Sequence, residues 1–152
     1  MATETLRLRP SEPVVQFSVF TANKLGRLHD LIQHFAEHHV HVLAITVLDT
    51  TDSAILRLIV DDPAKARSVL REDGFAFTES EVLVFEMDAV TQLHEALQVL
   101  LETEININYL YAFLARPGGK TTLALSLEDR ELAESALARH QFRVLHQGEI
   151  SR

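Results

Sequence analysis

The chain has 152 residues, is 47% hydrophobic and carries a formal net charge of −8. That is enough apolar material for one ordinary core or two small ones, while the acidic balance argues against nucleic acid and anionic membrane surfaces, which both need a cationic footprint. There is no cysteine, so disulfides, thiolate nucleophiles and thiolate metal ligation are excluded.

No apolar run approaches the length of a membrane span. The first dozen residues, Met1 to Glu12, lack a signal-peptide core, so a cytoplasmic location is expected. Val14 to Phe20 places Val15, Phe17 and Val19 on one face and predicts a strand. Thr21 to Gly26 reads as a polar turn. Leu25 to His38 follows with apolar residues at 25, 28, 32 and 35, a helical spacing.

Val40 to Leu48 is rich in β-branched residues and predicts a second strand, closed by the turn Asp49 to Asp52. Ser53 to Val60 returns as a third strand, with Leu56, Leu58 and Val60 facing one way and Ile55, Arg57 and Ile59 the other. Asp61-Asp62-Pro63 opens a helix to about Glu72, with carboxylates at its N-terminus and proline in the first turn. Gly74 stops it. Phe75 to Thr78 predicts a fourth strand, and the polar stretch Thr78 to Glu81 reads as a break.

The same order then recurs. Val82 to Met87 is a strand, Ala89 to Glu102 a helix and Ile105 to Leu114 a strand. Arg116 to Gly119 is a turn and Thr121 to Leu127 a strand; Asp129 to His140 is a helix and Phe142 to His146 a strand. Leu25, Leu28, Ile32 and Phe35 recur as Val90, Leu93, Leu97 and Leu100, and Phe75 recurs as Phe142. The offset is about 65 residues before the second hairpin and about 67 after it, so the extra residues fall in a turn, where additions are tolerated. A repeated βαββαβ order predicts two ferredoxin-like units in an α+β fold, spanning 13–79 and 80–147, each an antiparallel sheet with both helices on one face. The opposite sheet face would carry Leu43, Ile45, Ile55 and Ile59. It is too apolar to stay wet, and contact with another subunit is expected there.

Asn23-Lys24-Leu25-Gly26-Arg27-Leu28 resembles the Asn/Asp-x-Pro-Gly-x-Leu loop of the ACT domain. Val40-His41-Val42 is similar to that family's approach to its second strand. Ile55 to Pro63, Tyr109 to Phe113 and Gly119-Lys120 resemble segments of bacterial tandem ACT proteins. The resemblance covers about residues 13 to 146. It implies a regulatory protein that binds a small molecule, usually an amino acid, and signals to a partner enzyme of amino-acid metabolism. It also implies edge-to-edge pairing of second strands into an eight-stranded sheet, and a homodimer or higher homo-oligomer. No catalytic domain accompanies the repeats, so a stand-alone binding protein or regulatory subunit is expected.

Carried onto this sequence, the resemblance places a ligand between Asn23, Lys24, Leu25 and Gly26 of the first copy and Asn106 of the second, with Tyr109 near the seam. Physical chemistry suits this segment. Gly26 lets a ligand approach closely, and a helix N-terminus favours a carboxylate. Asn23 has both a donor and an acceptor, which serve either a helix cap or a ligand. Lys24 attracts an anion or is solvated, and Tyr109 lines a pocket or packs in the core. The mirror site, Asp88 with His41, departs further from the pattern. Val90 and Thr91 replace the proline and glycine, and Asp88 repels a carboxylate. Leu25 replaces the proline of the better site, which leaves that loop less pre-organised.

His34 and His38 share a helix face with Asp30, but without an HExxH pattern they read as a solvated face that could respond to mild acid, not as a metal site. There is no nucleophile elbow, P-loop or dinucleotide fingerprint. Neither catalytic residues nor a cofactor are expected. The rival expectation is a structural or interaction protein whose ligand loops have decayed.

Overall fold

Strand alternation and helix stripes assemble as one curled antiparallel sheet with helices packed on it. The computed structural model describes residues 12–22, 24–115 and 117–151. Its elements are β1 (Val14–Thr21), α1 (Lys24–Glu37), β2 (Val42–Asp49), β3 (Ala54–Val60), α2 (Pro63–Glu72) and β4 (Ala76–Met87). They continue with α3 (Leu93–Glu102), β5 (Ile107–Ala112), β6 (Thr121–Leu127), α4 (Arg130–Arg139), β7 (Arg143–Leu145) and α5 (Gln147–Ile150). The seven strands form one antiparallel sheet in the order β2-β3-β1-β4-β6-β5, with β7 also paired to β4. This is the expected α+β architecture with two βαββαβ repeats.

The strand count is seven because two expected strands run together. Thr78 to Glu81, expected as a break, lies inside β4, so position 79/80 is mid-strand. These residues pair with Ser18, Phe17, Gln16 and Val15 of β1. Backbone pairing holds the segment while its polar side chains face water, which hides the strand from a hydrophobic pattern. β4 therefore serves as the last strand of the first repeat and the first strand of the second.

The local signals behave as their chemistry requires. Asp62 caps α2 by accepting from the Lys65 amide at 3.1 Å, and Asp129 caps α4 by accepting from the Leu132 amide at 3.0 Å. Before α3, Ala89 offers no side-chain acceptor, and the chain makes a 3₁₀ turn, Val90–Gln92, first. Each of the first four helices is followed by a residue in the left-handed region: His39, Gly74, Glu104 and Gln141, with φ of 60, 72, 59 and 68°. The next residue sends its amide back into the helix, as from Val40 to Phe35 at 2.8 Å and from Phe142 to Leu137 at 3.0 Å, and buries its side chain.

Three cores result. Leu31, Phe35, Ala66 and Leu70 of α1 and α2 pack on Phe17, Val19, Leu56 and Leu58. Ala96, Leu100, Ala133 and Leu137 of α3 and α4 pack on Phe85, Leu123 and Leu125. The third core, Val14, Ala44, Ile59, Val84, Tyr111, Phe113, Ala124 and Leu145, lies on the sheet face away from the helices. This corrects the expectation of a subunit contact there: the sheet curls so that the second repeat of the same chain covers Ile59. Ile45 is a further correction. A register irregularity between Val42 and Ala44 shifts the alternation, so Ile45 packs toward the helices while Leu43 stays on the inner side.

The second strands of the two repeats meet within the chain. Ala44 bridges Phe113, and the Leu114 amide donates to the Leu43 carbonyl at 2.7 Å. The short helix α5, which the sequence pattern did not predict, is pinned by the fully buried Gln147. Its Oε1 accepts from the Val15 amide at 2.9 Å, and its Nε2 donates to the Val60 carbonyl at 3.3 Å. Among the described residues no helix is long and apolar enough to cross a membrane.

Candidate functional site

The two second-strand positions that the sequence singled out are built alike. His41 precedes β2 and faces Asp61, which follows β3. The His41 amide donates to Asp61 Oδ1 at 2.8 Å, and the ring Nδ1 lies 2.7 Å from Oδ2. Asn106 precedes β5 and faces Glu128 after β6. Its Nδ2 donates to Glu128 Oε1 at 3.1 Å, and its carbonyl accepts from the Glu128 amide at 3.3 Å. Each residue is thus tied to a carboxylate of its own repeat, across the hairpin that carries it.

On the first-repeat side, Asn23 and the Lys24 side chain lie outside the described residues. Leu25 is 79% exposed, and Gly26 sits in the first turn of α1 with ordinary negative φ, not in the turn before it. Asn106 is hydrogen-bonded to Glu128 of its own repeat. Of the mirror pair, Asp88 is ion-paired with Lys120, and its amide donates to Gln92 Oε1 at 2.7 Å. Asp88 and His41 are therefore committed to different partners.

Asp88 lies on the rim of an open cleft of about 390 Å³ at the end of the second repeat, lined also by Glu86, Glu95, Lys120, His140 and Arg143. Glu86 is 9% exposed and accepts from Arg143 at 3.5 Å; Arg143 also reaches Glu149 at 2.8 Å. The Glu149 and Glu86 carboxylates push the Arg143 pKa upward, and the neighbouring Asp88 does the same to Lys120.

Tyr109 is the predicted site residue that crosses between repeats. Its hydroxyl accepts from Gln16 Nε2 at 2.7 Å, while the Tyr111 hydroxyl donates to Gln16 Oε1 at 2.5 Å. Gln16, on β1, is fully buried. One amide is thus satisfied at both ends by the second repeat, across 93 and 95 residues of chain. The two tyrosine rings stack 6.4 Å apart at 22°. The Arg57 guanidinium covers the Tyr109 ring at 3.9 Å, a cation–π geometry. Burial, with Tyr109 alongside, raises the Tyr111 pKa far above that of an ordinary phenol, so the group stays a donor. Gln16 and Arg57 were not singled out by sequence; strand alternation gave Arg57's face, but nothing local revealed what lay opposite.

The helix-face histidines are engaged separately. His34 Nδ1 bonds to Asp73, and His38 Nδ1 lies 2.8 Å from the His34 carbonyl. Among the described residues no group of three or more His, Asp or Glu is placed to hold a metal ion.

The sequence model of a family described as an ACT domain pair matches residues 13–152. A crystal structure of a Bacteroides thetaiotaomicron protein is similar at a TM-score of 0.84 and 23% identity, over 95% of this chain and 99% of that one. The ligand-free regulatory subunit of aspartate kinase from Thermus thermophilus is similar at 0.59 and 16% identity, over 85% and 91%. The regulatory subunit of aspartate kinase from Thermus flavus is similar at 0.53 and 16%, over 85% and 93%. At these identities the likeness is one of fold. No curated protein sequence matches the chain.

Proposed function

The chain belongs to the ACT domain pair family, and from that premise we propose a non-catalytic regulatory protein that binds an amino acid and acts on a partner enzyme of amino-acid metabolism. The observation that carries the reading is the interlock of the two repeats at Gln16, Tyr109 and Tyr111. A ligand that alters one repeat thereby bears on the other, as a regulatory device requires. The likeness in fold to regulatory subunits of aspartate kinase supports the same role.

In this reading the units are 13–79 and 80–147. The ligand-contacting set is Asn23, Lys24, Leu25 and Gly26 with Asn106 and Tyr109; Asp88 and His41 form a weaker second set. The protein acts in the cytoplasm as a homo-oligomer. Exposed Val47 and Leu48 at the end of β2 that lies beyond its contact with Phe113 and Leu114, and exposed Leu110 on β5, support assembly.

A second reading has its own support. Asn106 and His41 already hold Glu128 and Asp61, as expected of a structural protein whose ligand loops have decayed. A thermal-shift screen of the twenty amino acids separates the two. Stabilisation by one or a few, weakened in Asn23→Ala, supports the regulatory reading, and a flat panel at saturating concentrations supports decay.

A further inference from the structure

The inner face of the first repeat carries one polar row. Thr46, Arg57, Ser18 and Thr78 stand directly opposite one another on β2, β3, β1 and β4, and opposed residues share a face. Along β3 the neighbours of Arg57 on that face are Ile55 and Ile59, the latter fully buried. Arg57, Ser18 and Thr46 are themselves partly buried.

The row leaves one shielded donor unpaired. The Arg57 guanidinium rests on the Tyr109 ring, and its Nε is shielded from solvent with no hydrogen-bond partner. Among the described residues Arg57, Ser18 and Thr46 make no side-chain hydrogen bond, and of their polar atoms Arg57 Nε is the one shielded from solvent. Carboxylates are not in short supply: the chain has 22 acidic residues against 14 basic ones, and Arg67, Arg130 and Arg143 each hold a carboxylate.

A shielded donor without a protein acceptor is rare in a folded protein, and a water, an ion or a ligand group can supply the acceptor. A guanidinium fork is shaped to hold a carboxylate or phosphate through two parallel bonds. Hydroxyls on both sides add donors to the same oxygens. We propose that Arg57, Ser18 and Thr46 form an oxyanion site at the seam between the repeats, and that its occupant is the carboxylate of a small ligand. The site shares Tyr109 with the family-type set but none of its other residues. The choice of a carboxylate rests on the amino-acid reading above, whereas the oxyanion site does not. An anion on Arg57 sits one side chain away from the Gln16 interlock, because Tyr109 touches both.

The test is ¹⁵N-edited NMR of the wild-type chain, following the Arg57 Nε–H signal, which is identified by its loss in Arg57→Met. The probes are the twenty amino acids, the decarboxylated amines of any that bind, and inorganic phosphate, all at constant ionic strength. The expected result is a saturable shift of that signal with an amino acid and none with its amine. Affinity should fall at least tenfold in Arg57→Lys, which keeps the charge and loses the fork, and severalfold in the Ser18→Ala/Thr46→Ala double variant. An amino acid that binds without moving the Arg57 signal, and equally well in Arg57→Lys, overturns the site and leaves the amino-acid reading standing. A saturable phosphate shift with a flat amino-acid panel sustains the oxyanion site and overturns the amino-acid reading. No shift with any probe overturns the proposal.

Discussion

The Gln16 amide donates to the Tyr109 hydroxyl at 2.7 Å, tying the first strand of one repeat to the second strand of the other. With Tyr111 on the carbonyl side of the same amide, Gln16 is fully buried and held at both ends. Replacing it by leucine would strand two hydroxyls, and a buried unsatisfied group costs about 1–3 kcal/mol. Gln16→Leu is therefore expected to lose about 2 kcal/mol in urea denaturation. A loss below about 0.5 kcal/mol, the ordinary scatter of surface substitutions, would show that the interlock adds nothing.

Ile59 tests whether the inner sheet face is closed within the chain. It is fully buried among Val14, Val84, Tyr111 and Phe113, and truncating such a side chain costs about 2–5 kcal/mol. Ile59→Ala should lose stability on that scale while light scattering reports an unchanged oligomeric mass. A change of mass without loss of stability would return the face to a subunit interface.

The left-handed residues after the helices make a stabilising prediction. Glu104 has φ of 59° and is exposed, and an L-residue pays about 1–2 kcal/mol for that conformation. Glu104→Gly is expected to raise the denaturation free energy by about 0.5–1 kcal/mol once glycine's greater unfolded-state freedom is counted. A destabilised variant would mean that the carboxylate has a partner worth more than the strain.

Stability should depend on histidine protonation with a definite sign. The hydrogen bond to Asp73 raises the His34 pKa above its ordinary 6.5. At His146 burial acts downward, yet the hydrogen bonds to Glu134 and Glu149 outweigh it and the pKa is raised. Folded-state values above the unfolded one stabilise fully below about pH 6.5 and lose that contribution as pH rises through the folded values. Thermal midpoints from pH 6 to 8 should fall more in wild type than in the His34→Gln/His146→Gln variant; parallel curves would contradict this.

Much of this fold was legible because its signals are local. Asp62 and Asp129 announced two helix starts, Gly74 a stop, and alternation in β3 divided Leu56 and Leu58 from Arg57 and Ile59. Where side chains and backbone disagree, the reading failed: Thr78 to Glu81 are polar but strand-paired, and Ile45 changes face at an irregularity in β2. The candidate site was legible only in part, since Tyr109 drew notice as an aromatic on a seam strand. Its partners Gln16 and Arg57 are 93 and 52 positions away, and no local pattern encodes how the sheet curls to bring them together. Local hairpin pairing, by contrast, gives His41 and Asn106 their carboxylates at each hairpin base.

In the proposed function this pair of repeats binds an amino acid. Isothermal titration of the full chain with each of the twenty amino acids tests it most directly. Saturable heat is expected for one or a few of them, with at least one site per chain. Absence of binding heat for all twenty at millimolar concentration, repeated at a second temperature to exclude a vanishing enthalpy, would contradict it.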